Sequence, residues 1–121
     1  MSLTAYSQMT LNNAYSFNGT SAYYACPHNA DFNNLTTQAT WEFWIRPNVY
    51  TLCLILGKNF TTGWAIGSQS DGSIFMQIPG GVVNTTTSPP IGVWTHVAIT
   101  YNSGTTAIYF NGTLQPTAGS T

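Results

Sequence analysis

Residues 92–101 read GVWTHVAITY, and this stretch decides the fold class. Side chains at every second position share a face, which is the repeat of a β-strand. One face carries Val93, Val97, Ile99 and Tyr101, and the other carries Trp94, His96, Ala98 and Thr100. Because both faces are largely apolar, we expect this strand to lie in the middle of a sandwich or to line a concave face.

The residues that follow predict a hairpin. Residues 106–110 and 113–115 flank Asn111-Gly112, a pair that tolerates the positive φ angles of a two-residue type I′ turn. Similar turn residues occur at Ser70-Asp71-Gly72 and at Asn102-Ser103-Gly104.

Working outward, no segment has apolar residues at helical spacing. Short alternating or apolar runs, separated by Gly, Asn, Pro and Ser, predict further strands. They are residues 3–10, 14–17, 22–26, 40–46, 52–56, 63–68, 73–78 and 82–86. At 121 residues, the chain is predicted to be a single all-β domain.

Six motifs, in order, resemble those of laminin G-like, concanavalin A-like jelly-roll domains. They are AYSFNGTSAYY (14–24), WEFWIRP (41–47), ILGK (55–58), GWAIG followed by DGSI (63–74), GVWTHVAITY (92–101) and AIYFNGTL (107–114). The resemblance implies a jelly-roll sandwich of two antiparallel sheets over residues 14–121. Residues 1–13 are then an N-terminal extension.

The resemblance also implies a gap in the sandwich, since such domains normally continue with further strands after the last motif. Three explanations are open. The sequence is a piece of a longer one, residues 3–11 fold back into the gap, or the segment of a neighbouring subunit fills it by strand exchange.

Charge is scarce, and this excludes several function classes. Only 4% of residues are charged, and the formal net charge is -1. Such a chain has no electrostatic attraction for phosphate, so we expect no nucleic acid partner. It has no apolar run long enough to span a membrane. We expect no signal peptide within these residues, whether or not a cleaved one precedes them. A surface rich in Thr, Ser and Asn suits a protein packed into an assembly, coated with sugar, or both.

The sequence offers several N-glycosylation acceptors. Five Asn-x-Thr triplets, with x not proline, begin at Asn18, Asn34, Asn59, Asn84 and Asn111. All five fall on predicted turns or strand ends. The alternative is that Asn-Gly-Thr is ordinary hairpin chemistry, which applies to Asn18 and Asn111.

The cysteines and histidines leave alternatives open. Cys26 and Cys53 are predicted either to form a disulfide in an extracellular setting or to be buried thiols. Their spacing does not favour zinc. His96 is expected to have a structural role, and His28 to be exposed in a loop.

The carboxylates do not favour catalysis. Related glycosidases place two acids around one bond, whereas Glu42 is the only acid on its strand and is predicted to pair with Arg46 or to hydrogen-bond in the sheet. Asp31 and Asp71 in loops make a weak calcium site at best. We therefore predict no enzyme activity, no cofactor and no metal.

Two functions remain. The first is a non-enzymatic, extracellular structural glycoprotein that self-assembles into a filament, shell or surface layer, on a cell or a virion. The second, implied by the resemblance alone, is a lectin-like carbohydrate-binding or adhesion module. Most aromatic side chains match core motifs, but Trp64 and Tyr24 are predicted as contacts for a carbohydrate ligand.

Overall fold

The structure, a computed structural model, describes residues 14–27, 29, 37–58 and 63–120. The predictions for residues 1–13, for the strand at 3–10, and for His28, Asp31, Asn34 and Asn59 lie outside these residues. The described part contains nine strands and no helix. The strands are β1 (Gln38–Ile45), β2 (Cys53–Lys58), β3 (Trp64–Ser68), β4 (Ile74–Ile78), β5 (Gly81–Thr85), β6 (Thr95–Asn102), β7 (Thr105–Phe110), β8 (Thr113–Leu114) and β9 (Thr117–Ser120).

The strands form two antiparallel sheets, as predicted. Sheet A has the order β1-β6-β7-β8, and sheet B has the order β2-β3-β4-β5-β9. One apolar cluster joins them: its buried side chains are Ile66, Ile74 and Met76 of sheet B, and Val97, Ile99, Ile108 and Phe110 of sheet A. Burial of these side chains between the two layers is the main contribution to stability.

The strand that decided the fold class lies inside sheet A. β6 pairs with β1 over Gln38↔Asn102 to Ile45↔Thr95, and with β7 on its other side. Burial alternates along β6, with Val97 and Ile99 fully buried. The β7–β8 hairpin is confirmed: Asn111 and Gly112 have φ angles of 49° and 79°, as a type I′ turn requires.

The turn between β3 and β4 is also confirmed. The Gly72 N–H donates to the Gln69 carbonyl at 3.0 Å, and Gly72 has a φ of 83°. The Tyr50 ring packs against the space that a Cβ at Gly72 would fill. The Tyr50 hydroxyl donates to the Pro89 carbonyl at 2.9 Å. The Tyr50 side chain, which is distant in sequence, therefore stabilises this turn.

β9 was not predicted from the sequence, since the last strand was expected to end at residue 115. Thr117–Ser120 pairs with β5, from Thr85↔Thr117 to Val82↔Ser120, and extends sheet B. Ala, Gly and Ser have little intrinsic preference for strands. The strand forms because its backbone pairs with that of β5. Strand propensities of single residues do not predict such pairing.

The strands predicted at 14–17 and 22–26 are wrong. In the structure these residues form no strand, and they are exposed. The Asn18 Oδ1 atom accepts hydrogen bonds from the N–H groups of Thr20, Ser21 and Ala22, at 2.9 to 3.0 Å. These local bonds shape a turn, and a short pair of segments without a third strand is at best marginal as a hairpin.

Candidate functional site

The outer face of sheet A, which points away from the core, carries an aromatic side chain beside Glu42, the one carboxylate in a strand among the described residues. Along β1 the inward positions are half-buried, whereas Glu42 and Trp44 are exposed. On β6 the outward neighbour of Trp44 is His96, its direct cross-strand partner. We call Glu42, Trp44 and His96 the Trp44 cluster.

The three side chains of the Trp44 cluster are within contact range. The Trp44 and His96 rings have centroids 5.3 Å apart and are tilted by 53°. The His96 Nε2 atom lies 4.0 Å from Glu42 Oε2. Trp44 is 51% exposed, and the side chains of His96 and Glu42 are 29% and 61% exposed. The cluster thus offers an open indole surface beside a hydrogen-bond acceptor and an imidazole.

The backbone of the β7–β8 hairpin holds His96 in position. The His96 N–H donates to Asn111 Oδ1 at 2.9 Å, and the Asn111 N–H donates to the His96 carbonyl at 2.8 Å. Next to this pair, Tyr109 lies opposite Ala98 and Leu114 lies opposite Tyr109. The apolar outer face therefore continues from β1 to β8.

The predicted pairing of Glu42 with Arg46 is wrong. Residues four apart on one strand are separated by about 13 Å at the usual rise per residue, whereas cross-strand neighbours are about 5 Å apart. Ala98 lies directly opposite Glu42, and His96, the diagonal neighbour on the same face, brings its Nε2 atom within 4.0 Å of the Glu42 carboxylate. The Arg46 Nε atom donates to the Gly92 carbonyl at 2.9 Å.

The two predicted ligand contacts lie in different surroundings. Trp64 packs against the core cluster and against Trp41, with ring centroids 5.0 Å apart. Its indole Nε1 atom is buried without a hydrogen-bond partner. Tyr24 is 78% exposed and contacts Tyr15, at 6.2 Å between centroids. The structure does not bring Trp64 and Tyr24 together, and their contact with a ligand stays a prediction, as an alternative to a site at the Trp44 cluster.

Trp44 was missed as a site residue, although a signal was present. Trp41, Phe43 and Ile45 match the core motif, so the alternation places Trp44 on the opposite face with Glu42. A carboxylate on that face marks it as the solvent side. A single exposed ring is common, but a contiguous apolar surface on the solvent side indicates an interaction site.

The three described glycosylation acceptors differ in exposure. Asn18 and Asn111 are exposed on turns. Asn84 is half-buried within β5, and its Oδ1 atom accepts from Gln69 Nε2 at 3.2 Å. Their modification stays a prediction.

The disulfide prediction does not correspond to a bond in the structure. Cys26 and Cys53 are both free, and Cys26 is exposed. Cys53 Sγ lies 3.3 Å from Ser68 Oγ. Among the described residues no group of three or more His, Cys, Asp or Glu side chains could hold a metal ion.

Asp71 is a carboxylate outside the Trp44 cluster, in the turn between β3 and β4. Its Oδ1 atom accepts from the Ser73 hydroxyl at 2.7 Å and from the Ser73 N–H at 2.9 Å. These two bonds hold the pKa of Asp71 below its ordinary value, because they stabilise the ionised carboxylate.

The sandwich and its motifs agree with a comparison against protein families. A laminin G family model, described as the concanavalin A-like lectin/glucanases superfamily, matches residues 18–121. The chain belongs to this superfamily. Comparison with curated proteins and with solved structures gives no match.

The concanavalin A-like superfamily includes lectin-like modules, and its laminin G-like members are generally non-enzymatic and typically extracellular. In the part of the chain that the structure describes, no helix is long and apolar enough to cross a membrane. Family membership gives the superfamily of this chain, and the assignment of a function to it is a proposal.

Proposed function

We propose that this concanavalin A-like domain is a non-enzymatic, extracellular module that binds a neutral saccharide on the outer face of sheet A. The observation that carries the proposal is the half-exposed Trp44 indole, held beside His96 and Glu42. Aromatic rings with a few placed polar groups are the usual lining of a small-molecule site.

The chemistry of the Trp44 cluster fits a sugar. The face of an indole is electron-rich, so it attracts the weakly positive C–H groups of a pyranose ring. The Glu42 carboxylate accepts hydrogen bonds from sugar hydroxyls, and the His96 imidazole can donate or accept one. These three side chains supply both interactions that a pyranose needs.

The charge of the chain favours a neutral ligand. It has only two Lys and Arg residues, and its formal net charge is -1. The Arg46 guanidinium donates to a backbone carbonyl, and the charged group within the cluster is a carboxylate. A phosphorylated, sulfated or uronic acid ligand would meet repulsion from Glu42 without a matching cation.

The placement of Glu42 and Asp71, the two acids among the described residues, supports a non-enzymatic role. Retaining and inverting glycosidases need two carboxyl groups about 5 to 9.5 Å apart, on either side of one bond. Glu42 lies on the outer face of sheet A, and Asp71 lies in a turn of sheet B. The two therefore do not flank a common ligand.

A second candidate is a structural subunit that self-assembles into a filament, shell or surface layer, with N-glycans as its coat. It is favoured by β1, whose eight residues form one border of sheet A among the described residues. A long open border is a template for pairing with another chain. Exposed apolar side chains along and before β2, Leu52, Leu54 and Leu56, add a second apolar surface.

A glycan array tests the saccharide proposal, with neutral, sulfated and sialylated glycans on one slide. We expect binding to neutral glycans that Trp44→Ala and Glu42→Gln each reduce about fivefold or more. Asp71→Asn is the matched control, since it neutralises a carboxylate on the other sheet. Binding only to acidic glycans, or equal loss in Glu42→Gln and Asp71→Asn, would contradict the proposal.

A further inference from the structure

The two sheets have four borders, and they differ in how well they resist pairing with another strand. β8 has two residues and β9 has four. β2 has six, but its pairing with β3 shifts between Leu54 and Leu56 at a bulge. Short length and bulges are common protections of sheet borders.

β1 lacks these protections. It has eight residues, pairs in unbroken register with β6, and belongs to no other pair among the described residues. It contains no proline, and its one charged residue, Glu42, is exposed on the outer face of the sheet. Its inward side chains include Trp41, Phe43 and Ile45, which are partly buried against the core.

Residues 3–11, outside the described part of the chain, have the pattern that such a border requires. They read LTAYSQMTL. Leu3, Ala5, Ser7, Met9 and Leu11 share one face of an extended strand, with Ser7 as its one polar residue, whereas Thr4, Tyr6, Gln8 and Thr10 share the other. A strand of this pattern, added to β1, covers the core edge with its apolar face and presents its polar face outward. Its nine residues match the eight of β1.

The segment that follows favours pairing with another copy. Tyr15, Tyr23 and Tyr24 are each more than three-quarters exposed. The bonds of Asn18 and the contact between Tyr15 and Tyr24 stay within residues 15–24. An exposed, locally bonded connection suits an arm that reaches away from its own sandwich. The net charge of -1 leaves little repulsion between copies.

We propose that residues 3–11 of one copy add to β1 of a second copy as an extra strand of sheet A. Backbone hydrogen bonds along β1 supply the affinity, and the apolar face with Met9 sets the register. Repetition of this head-to-tail contact produces an open chain or a closed ring of subunits. This inference rests on the second candidate function and names its contact.

Sedimentation velocity of the full chain, at micromolar concentration and with reductant to keep the exposed Cys26 from forming disulfides, tests the inference. We expect wild type to be oligomeric. Neighbouring N–H groups of a strand point to opposite sides, so the double variant Ser7→Pro/Gln8→Pro removes a donor toward β1 in either register and should give monomers, whereas Ser7→Ala/Gln8→Ala should not. Met9→Lys should dissociate the oligomer, whereas Thr10→Lys, with the same charge on the polar face, should leave it assembled.

The outcomes separate this contact from the structural role itself. A wild-type chain that is monomeric contradicts both. An oligomer that persists in Ser7→Pro/Gln8→Pro and in Met9→Lys overturns the contact and leaves self-assembly standing. Near-UV circular dichroism checks the fold of each variant: if Met9→Lys unfolds the sandwich, residues 3–11 complete their own copy and the inference is wrong.

Discussion

Trp44 and His96 are direct cross-strand partners on β1 and β6, and their ring centroids are 5.3 Å apart on the outer face of sheet A. Trp41, on the same strand as Trp44 but on its inward face, packs against Trp64 in the core. Trp41 and Trp44, three residues apart on β1, therefore have different roles. One stabilises the sandwich, and the other is available to a ligand.

Trp64→Ala should lower the free energy of unfolding by about 3–5 kcal/mol, because it removes a large side chain that packs on the core cluster. Chemical denaturation followed by circular dichroism measures this change. Trp44→Ala is the matched control and should cost much less, since half of Trp44 is already exposed. Equal losses in the two variants would contradict the assignment of their faces.

Gly72→Ala should destabilise the chain by more than Gly80→Ala. Both glycines have positive φ angles, 83° and 103°, so alanine is strained at each. At Gly72 the added Cβ also meets the Tyr50 ring, whereas at Gly80 it meets nothing within 4 Å. We expect a cost of about 1 kcal/mol from strain at Gly80, and a further loss at Gly72. Thermal unfolding of the two variants gives the comparison.

Asp71 should contribute to loss of stability in acid. Its pKa in the folded chain is below its ordinary value, so its contribution is present above the ordinary pKa of 3.8 and is lost as the pH falls through the folded value. Asp71→Asn should therefore show a shallower decline of the melting temperature on acidification than wild type. If the melting temperatures of the two proteins fall equally on acidification, the Ser73 bonds do not contribute to stability in this way.

Glycan occupancy should follow exposure if the chain passes through a secretory pathway that attaches N-glycans. Asn18 and Asn111 lie on exposed turns, whereas Asn84 is half-buried in β5. Peptide mass mapping should find Asn18 and Asn111 modified to a greater extent than Asn84. Preferential modification of Asn84 would contradict this ranking.

The sequence predicts sheet A better than the ends of the chain. β6 and the β7–β8 hairpin follow from strict alternation and from Asn111-Gly112, which are local signals. β9 and residues 14–27 depend on whether a neighbouring backbone is present to pair with. The strand-like pattern of residues 14–17 finds no partner among the described residues, and the weak pattern of residues 117–120 finds β5.

The site could be predicted only in part. Alternation along β1 separates Trp44 from Trp41, but choosing the core face requires knowing which side sheet B covers. The side chain of Trp64 is equally hard to assign to the core or to solvent from the sequence, because the glycines around it give no pattern that distinguishes the two faces. Contacts across the strands, such as Glu42 with His96, depend on the β1–β6 register, which emerges only on folding.

The most direct test of the saccharide site is an NMR titration of the four tryptophan indole N–H resonances, assigned by single substitutions. The titrant is a neutral oligosaccharide chosen from the glycan array. We predict that the Trp44 resonance shifts and saturates while that of Trp64 stays in place, and that Trp44→Ala weakens binding by about 1–3 kcal/mol, as for other aromatic stacking. Tyr24→Ala, an exposed aromatic off the sheet, should leave the titration unchanged. A shift of Trp64 without Trp44, or loss of binding in Tyr24→Ala alone, would contradict the proposed site.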